Sequence, residues 1–308
     1  MRKIISFAIP VFRNEKAITE TYKEILTVIK PILNNYDYEF IFTNDGSDDG
    51  SLDELVELHR IDSKVKVISF SRNFGQVQAI TSSLTHAQGD VLISLSCDLQ
   101  DPIEIIPKMI KAFEDGNDIV ISNRIKRNDG FRQKIFTKLY YKLMKTSNLD
   151  IPEGGFDLFL LSKKANEVLK KIDERNRYLH ADILWLGFKV KLIPGERRKR
   201  TIGKSQYNFR KRFNSLLVGY FNTSYFPLRF MSLIGIIFTI LGFLYSISIT
   251  FNYFFNKVPF KGWAPIMILI LVIGGLIMLM LGIIGEYIWR TLDEVKGKPY
   301  YIIDKKWD

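Results

Sequence analysis

Three carboxylates and a glutamine, Asp98, Gln100, Asp101 and Glu104, fall within the twelve-residue stretch "ISLSCDLQDPIE". The apolar run that precedes them reads as a buried strand. A second acidic cluster, "NDGSDDGS" from Asn44 to Ser51, closes another such run. Carboxylates gathered at one edge repel one another unless a cation offsets them. No Cys or His stands at metal-ligand spacing: Cys97 is the only cysteine, and His59, His86 and His180 lie far apart in the chain. Oxygen ligands without Cys or His suit Mg2+ or Mn2+, and Mg2+ is commonly held by one or two carboxylates together with substrate phosphates. The expected ligand is therefore a diphosphate carrying a divalent cation. Each cluster alone has a plainer reading, "NDGSDDGS" as an Asx-rich helix-capping turn and Asp101 as the cap of a helix opening at Pro102. The two together at strand ends, with Arg124 ending a further strand, are less easily explained by capping.

The elements that must position these residues alternate regularly over the first 125 residues. Strands are expected at "KIISFAIPVF", "YEFIFTND", "KVKVISFS", "DVLISLSCD" and "DIVISNR". Helices are expected from Glu15 to about Asn34, from Ser51 through Arg60, over "GQVQAITSSLTHA", and from Pro102 to about Asp115. Short, nearly continuous apolar strands separated by helices indicate an α/β fold with a parallel sheet covered on both faces. Ligands of such sheets bind beyond the carboxyl ends of the strands, and there the polar residues collect: Pro10 to Glu15, "NDGSDDGS", "SRNFG", "SCDLQD" and "SNR". Beyond residue 131 the pattern changes to a basic amphipathic stretch, then "GGFDLFLLS", a glycine turn into an apolar strand.

The chain carries 44 Lys+Arg against 33 Asp+Glu, a formal net charge of +11. That excess points to an anionic partner. Two uncharged runs, residues 230–256 and 262–285, are each long enough to cross a bilayer; the alternative is a pair of buried core helices. Basic residues crowd the outer flanks of these runs, "ERRKR", "RKR" and Arg229 before and Arg290, Lys296 and Lys298 after, whereas the connecting loop offers Lys257 and Lys261. The positive-inside rule then puts both termini in the cytoplasm of a multi-pass inner-membrane protein. It also accounts for the basic excess through membrane lipids, with no nucleic acid needed. The start of the chain, with Pro10 in a short apolar run leading into "RNEK", reads as a strand and not as a signal peptide. One cysteine excludes an intrachain disulfide.

"IPVFRNE", "NDGSDDGS", "SRNFGQVQA", "CDLQDPIE" and "SNR", followed by "ERNRYLHADILWLGF", "RRKRTIGKSQY" and the closing "GEYIWRTLDEVKGKPYYI", together resemble the polyisoprenyl-phosphate glycosyltransferases of glycosyltransferase family 2. The resemblance implies a GT-A (Rossmann-like) cytosolic domain over residues 1–195. A basic phosphate-binding loop with a juxtamembrane amphipathic helix would follow over 196–228, then transmembrane helices over 229–256 and 263–289 and a cytosolic tail over 290–308. It implies a UDP-linked nucleotide-sugar donor, Mg2+ or Mn2+, a polyprenyl-phosphate acceptor such as undecaprenyl phosphate, and inverting transfer of a single sugar. A homo-oligomer is compatible with it.

Matched position by position, Pro10, Phe12 and Glu15 would line the nucleotide pocket and Asp45 would hold the base or ribose. Ser96 would reach the ribose or a metal-bound water. Asp98 and Gln100 would face metal and diphosphate, and Arg124 would meet phosphate. Arg200, Lys204, Ser205 and Tyr207 would close over the donor and acceptor phosphates, with Asp98, Arg124 and Arg200 carrying catalysis. Two departures stand out. Ser96 replaces the first Asp of the family's Asp-x-Asp, which shifts a larger share to Asp101, and "GGFDLF" places Gly155 and Asp157 where the family has Asp and Arg, leaving Glu153 or Asp157 as substitutes. Alternatives are a transferase acting on another lipid acceptor, or a catalytically impaired nucleotide-binding membrane scaffold.

Overall fold

The computed structural model describes residues 2–124, 152, 155–174, 177–196, 198, 226–254 and 264–308. The chain divides into two units, residues 1–222 with 298–308, and residues 223–297.

The first unit is built on an eight-stranded mixed sheet. Its strands are β1 (Lys3–Val11), β2 (Tyr36–Asn44), β3 (Val65–Phe70), β4 (Val91–Ser94), β5 (Ile119–Arg124), β6 (Phe159–Ser162), β7 (Val190–Gly195) and β8 (Ile303–Trp307), in the order β7-β5-β6-β4-β1-β2-β3-β8. The expected parallel core is present: β1 pairs in parallel with β2 and β4, and β2 with β3. The sheet departs from all-parallel at two places. β6, the strand expected after the glycine turn, enters antiparallel between β4 and β5. β8 adds antiparallel to β3, so the residues expected as a tail end as an edge strand of the sheet.

Helices α1 (Ala17–Ile29), α2 (Ser51–Ile61), α3 (Gln76–His86), α4 (Ile106–Glu114), α5 (Lys163–Leu169) and α6 (Leu179–Trp185) connect and cover the strands. α1 gives way at Lys30 to a short 3-10 turn over Lys30–Ile32 containing Pro31, which ends the helix before the expected Asn34. Phe7, Phe40, Phe42 and Ile25 are buried on one face of the sheet, and Ile41, Ile68, Phe156 and Phe159 on the other. Burial on both faces explains why these strands lack an apolar–polar alternation.

In the second unit, α7 spans Phe226–Phe254 and α8 spans Ala264–Val295. Among the described residues one helical stretch, Val272–Val295, is long and apolar enough to cross a membrane, and none of it is buried; Phe230–Tyr245 is a shorter apolar stretch.

Candidate functional site

The loops at the carboxyl ends of β1 to β4 are tied into one edge by hydrogen bonds. Asn14 is the hub of the first. Its Nδ2 donates to the Cys97 carbonyl at 3.1 Å, its amide donates to Ser51 Oγ at 2.9 Å, and its Oδ1 accepts from the Phe12 amide at 3.0 Å. The segments after β1, β2 and β4 thus meet at one residue. Arg13 and Lys16 hold left-handed backbone conformations, φ 53° and 71°, in this loop. Non-glycine residues adopt that region at a cost of the order of 1 kcal/mol or more and mostly where surrounding structure imposes it. Pro10 lies opposite Thr43 in the β1–β2 register, Phe12 lies under the Arg13 guanidinium, and exposed Glu15 packs along Gly50.

Asp45 follows the last residue of β2 and is buried. Its carboxylate accepts from the Phe74 amide at 2.6 Å, the Gly75 amide at 2.9 Å and Asn73 Nδ2 at 2.9 Å. Burial pushes its pKa up to about 6, against the pull of the Phe74 and Gly75 amides and of Arg72. The expected role for Asp45 is a hold on base or ribose; in the structure its carboxylate grips the loop between β3 and α3. Gly46 beside it has φ 64°, and a Cβ there would stand 2.3 Å from the Arg72 carbonyl carbon, so the loop approaches as closely as it does because residue 46 is glycine.

The stretch from Leu95 to Asp101 differs from expectation. Its apolar residues suggested a strand running to Asp98, but β4 ends at Ser94, where the pairing with β6 stops. The cause is local: the Ser96 amide and hydroxyl both donate to one Asp101 oxygen, at 2.7 Å and 2.5 Å, which curls the chain out of the sheet. Asp101 therefore does not cap the following helix; its carbonyl instead accepts from the Ile103 amide, opening a 3-10 turn over Ile103–Ile105 before α4. Leu99 sits at φ 57° between Asp98 and Gln100. Asp98 is buried, and its Oδ1 accepts from the Gln100 amide at 3.2 Å. Burial pushes the pKa of the neighbouring Cys97 thiol above its ordinary value, which disfavours the nucleophilic thiolate.

Arg198, inside the basic run but not singled out by its sequence, is itself tied to this edge. Its amide donates to the Gln100 carbonyl at 2.9 Å, and its guanidinium bridges Glu104 at 2.8 Å and Glu24 of α1. Arg124 ends β5 in register with Gly195 at the end of β7. Asp157 lies just before β6, partly exposed. Glu153, Arg200, Lys204, Ser205 and Tyr207 lie outside the described residues.

Among the described residues no three of His, Cys, Asp and Glu form a ready-made metal cluster. Asp98 with Gln100 is a donor set of one carboxylate and one amide. That set suits an Mg2+ or Mn2+ ion that takes its remaining ligands from water and a diphosphate, and does not suit an all-protein cage.

A mixed α/β sheet with polar loops stitched along its carboxyl edge is of the class whose ligands bind beyond the strand ends. The model for "Glycosyl transferase family 2" matches residues 6–170. An uncharacterized glycosyltransferase of Bacillus subtilis, YkcC, is 35% identical over 98% of this chain and 94% of its own. A prophage bactoprenol glucosyl transferase homolog of Escherichia coli is 35% identical over 98% of each chain. A solved structure of glucosyl-3-phosphoglycerate synthase from Mycobacterium tuberculosis with uridine diphosphate is 18% identical, with a TM-score of 0.49 over 71% of this chain and 80% of that one. The chain belongs to glycosyltransferase family 2, and its first unit has the Rossmann-like sheet of the GT-A type.

Proposed function

We propose that this enzyme is a hexosyltransferase that moves one sugar from a UDP-linked donor to polyprenyl phosphate, of the undecaprenyl type, at the cytoplasmic membrane face, with inversion at the anomeric carbon. The observation that carries the reading is the presence, in one chain, of a Rossmann-like sheet with polar loops along its carboxyl edge and of a helical stretch long and apolar enough to cross a membrane. Relatives similar over their whole length include proteins named bactoprenol glucosyl transferase. A soluble donor and a lipid acceptor require both halves.

The pairing of β8 with β3 supports two crossings over one. Strands that precede and follow the apolar helices lie in the same sheet, which supports an even number of bilayer crossings between them. The basic outer flanks put that sheet in the cytoplasm. Reporter fusions at the N-terminus, the C-terminus and residue 200 are expected to read cytoplasmic, and one at Lys257 periplasmic; a periplasmic C-terminus contradicts the topology.

The acceptor phosphate is already largely ionised at neutral pH (second pKa about 6), so it needs little help from a general base. Asp98 and Gln100 would hold Mg2+ or Mn2+, which when bound neutralises charge on the donor diphosphate. Arg124 at the end of β5, with Arg200, Lys204, Ser205 and Tyr207, would bind the donor and acceptor phosphates. Cations aimed at the leaving diphosphate lower the barrier most, because negative charge develops there. Asn14 and Arg198 would hold the loop from Ser96 to Asp101 in place between them. Attack on the face opposite the leaving group inverts the configuration.

The test is transfer by purified protein in detergent, with undecaprenyl phosphate and a panel of radiolabelled nucleotide sugars. Label moving into the lipid phase with one donor supports the reading. Label moving to diacylglycerol, or to no lipid with any donor, contradicts it.

A further inference from the structure

The segment that returns from α8 to the sheet packs against the loop that Asp45 holds. Six residues after Val295, the Tyr301 ring stacks on Phe70, the last residue of β3, with centroids 4.7 Å apart and planes 15° from parallel. Phe70 meets Phe74 edge-on at 5.7 Å. The Phe74 amide donates to Asp45 at 2.6 Å, and its ring lies 4.0 Å from the Arg72 guanidinium carbon. The backbone follows the same route. The Ile302 carbonyl accepts from the Ser71 amide at 3.1 Å, and β8 begins opposite Phe70. Tyr300 hydrogen-bonds Asp173 through its hydroxyl. The loop Ser71–Gly75 is therefore gripped from two sides, by Asp45 within and by Tyr301 and Ile302 without.

We infer that Tyr301 is a positioning residue for the nucleotide donor. Its ring holds Phe70 and Phe74 so that the Phe74 and Gly75 amides stay on Asp45, and the segment leaving the last apolar helix thereby helps to set donor binding. The inference deepens the functional reading above and rests on it for the identity of the ligand. It needs the ring of Tyr301 and not its hydroxyl. A stacked pair constrains both distance and tilt, so an aliphatic side chain of similar volume restores burial without restoring the constraint.

The test compares Tyr301→Leu, Tyr301→Phe and Tyr300→Phe in the full-length protein in detergent. Tyr301→Leu is expected to raise donor KM about tenfold while leaving kcat and acceptor KM within about twofold, since it removes a placement used in binding. Tyr301→Phe and Tyr300→Phe keep the stack and are expected to stay near wild type. Hydrogen exchange at the Phe74 and Gly75 amides is expected to speed up in Tyr301→Leu alone, whether or not donor is present. Unchanged exchange there overturns the inference, as does a kcat loss with unchanged donor KM. If wild-type protein transfers no sugar, the functional reading fails, and the exchange comparison still decides the role of Tyr301.

Discussion

Ser96 donates twice to a single carboxylate oxygen of Asp101, from its amide at 2.7 Å and from its hydroxyl at 2.5 Å. Serine at this position is thus fitted to Asp101, and the loop that carries Asp98 and Gln100 is folded around the pair. An aspartate at residue 96, the first Asp of the Asp-x-Asp that the family resemblance implies, would face Asp101 carboxylate to carboxylate at hydrogen-bond distance. One of the two would then have to take up a proton. Ser96→Ala keeps the amide bond and loses the hydroxyl, an expected stability loss of about 1 kcal/mol. Ser96→Asp is expected to cost more and to lower turnover despite the added charge. Urea denaturation and initial rates across a Mn2+ titration check both; a Ser96→Asp protein more active than wild type contradicts this account of the loop.

Asp98→Asn is expected to lower turnover by about a hundredfold or more, as loss of a charge-stabilising group does, with the unfolding midpoint close to wild type. Its carboxylate is buried and its Oδ1 accepts from the Gln100 amide, a bond that the asparagine oxygen can keep. A purified variant that keeps more than about a tenth of wild-type turnover removes Asp98 from the metal and diphosphate site.

The pH profile should carry the signature of Asp45. Its pKa is raised from 3.8 to about 6 by burial, so the folded protein binds this proton more tightly than the unfolded chain does. Its contribution to stability is therefore full below about pH 4 and is lost as pH rises through about 6. The anion, however, is the form that accepts the Phe74 and Gly75 amides. Between pH 6 and 5, donor affinity is expected to fall, and turnover with it as the acceptor phosphate also takes up its proton, while the melting temperature does not. Glu39 does not interfere in that window. Burial opposes its ionisation, but Lys66, Ser6 and the Gln88 amide outweigh burial and set its pKa below 4.5, so its contribution is lost only at more acid pH. Parallel activity and melting curves that fall together between pH 6 and 5 contradict the assignment.

Gly46→Ala is expected to weaken donor binding by pushing the Arg72–Asn73 backbone away from Asp45. An added Cβ would stand 2.3 Å and 2.6 Å from atoms of that backbone, and the left-handed φ of 64° adds strain for any L side chain. The expected stability loss is about 1–3 kcal/mol. Donor titration with calorimetry, alongside thermal melting, checks it; wild-type affinity in Gly46→Ala shows that the loop needs no such close approach.

Much of this architecture was legible because local and global signals agree. The apolar runs from Lys3, Tyr36 and Val65 are buried on both faces, and helices of ordinary length separate them. The carboxyl-edge loops were legible from their Asp, Asn, Ser and Gly content. What stayed hidden depends on partners distant in the chain. β8 is short, and Asp304, Lys305 and Lys306 make it polar, as edge strands often are; its partner β3 lies at the other end of the sequence. β4 ends four residues before the expected Asp98, because Leu95 and Cys97 continue the apolar pattern while the Ser96–Asp101 bonds redirect the backbone. Asp45 reads as a ligand-facing carboxylate from its neighbours "NDGSDDGS", whereas its burial and its hold on residues 73–75 emerge only once β2 and β3 are side by side. Arg198 was one basic residue among several in its run, and only Glu24, Glu104 and the Gln100 carbonyl distinguish it.

The most direct measurement of the central claim is mass spectrometry and NMR of the lipid product formed by purified enzyme from undecaprenyl phosphate, Mn2+ and the accepted nucleotide sugar. The account predicts a phosphate bearing one sugar, of anomeric configuration opposite to the donor's, with one nucleoside diphosphate released per lipid. A product with two or more sugars, with retained configuration, or with a nucleoside monophosphate as leaving group contradicts it.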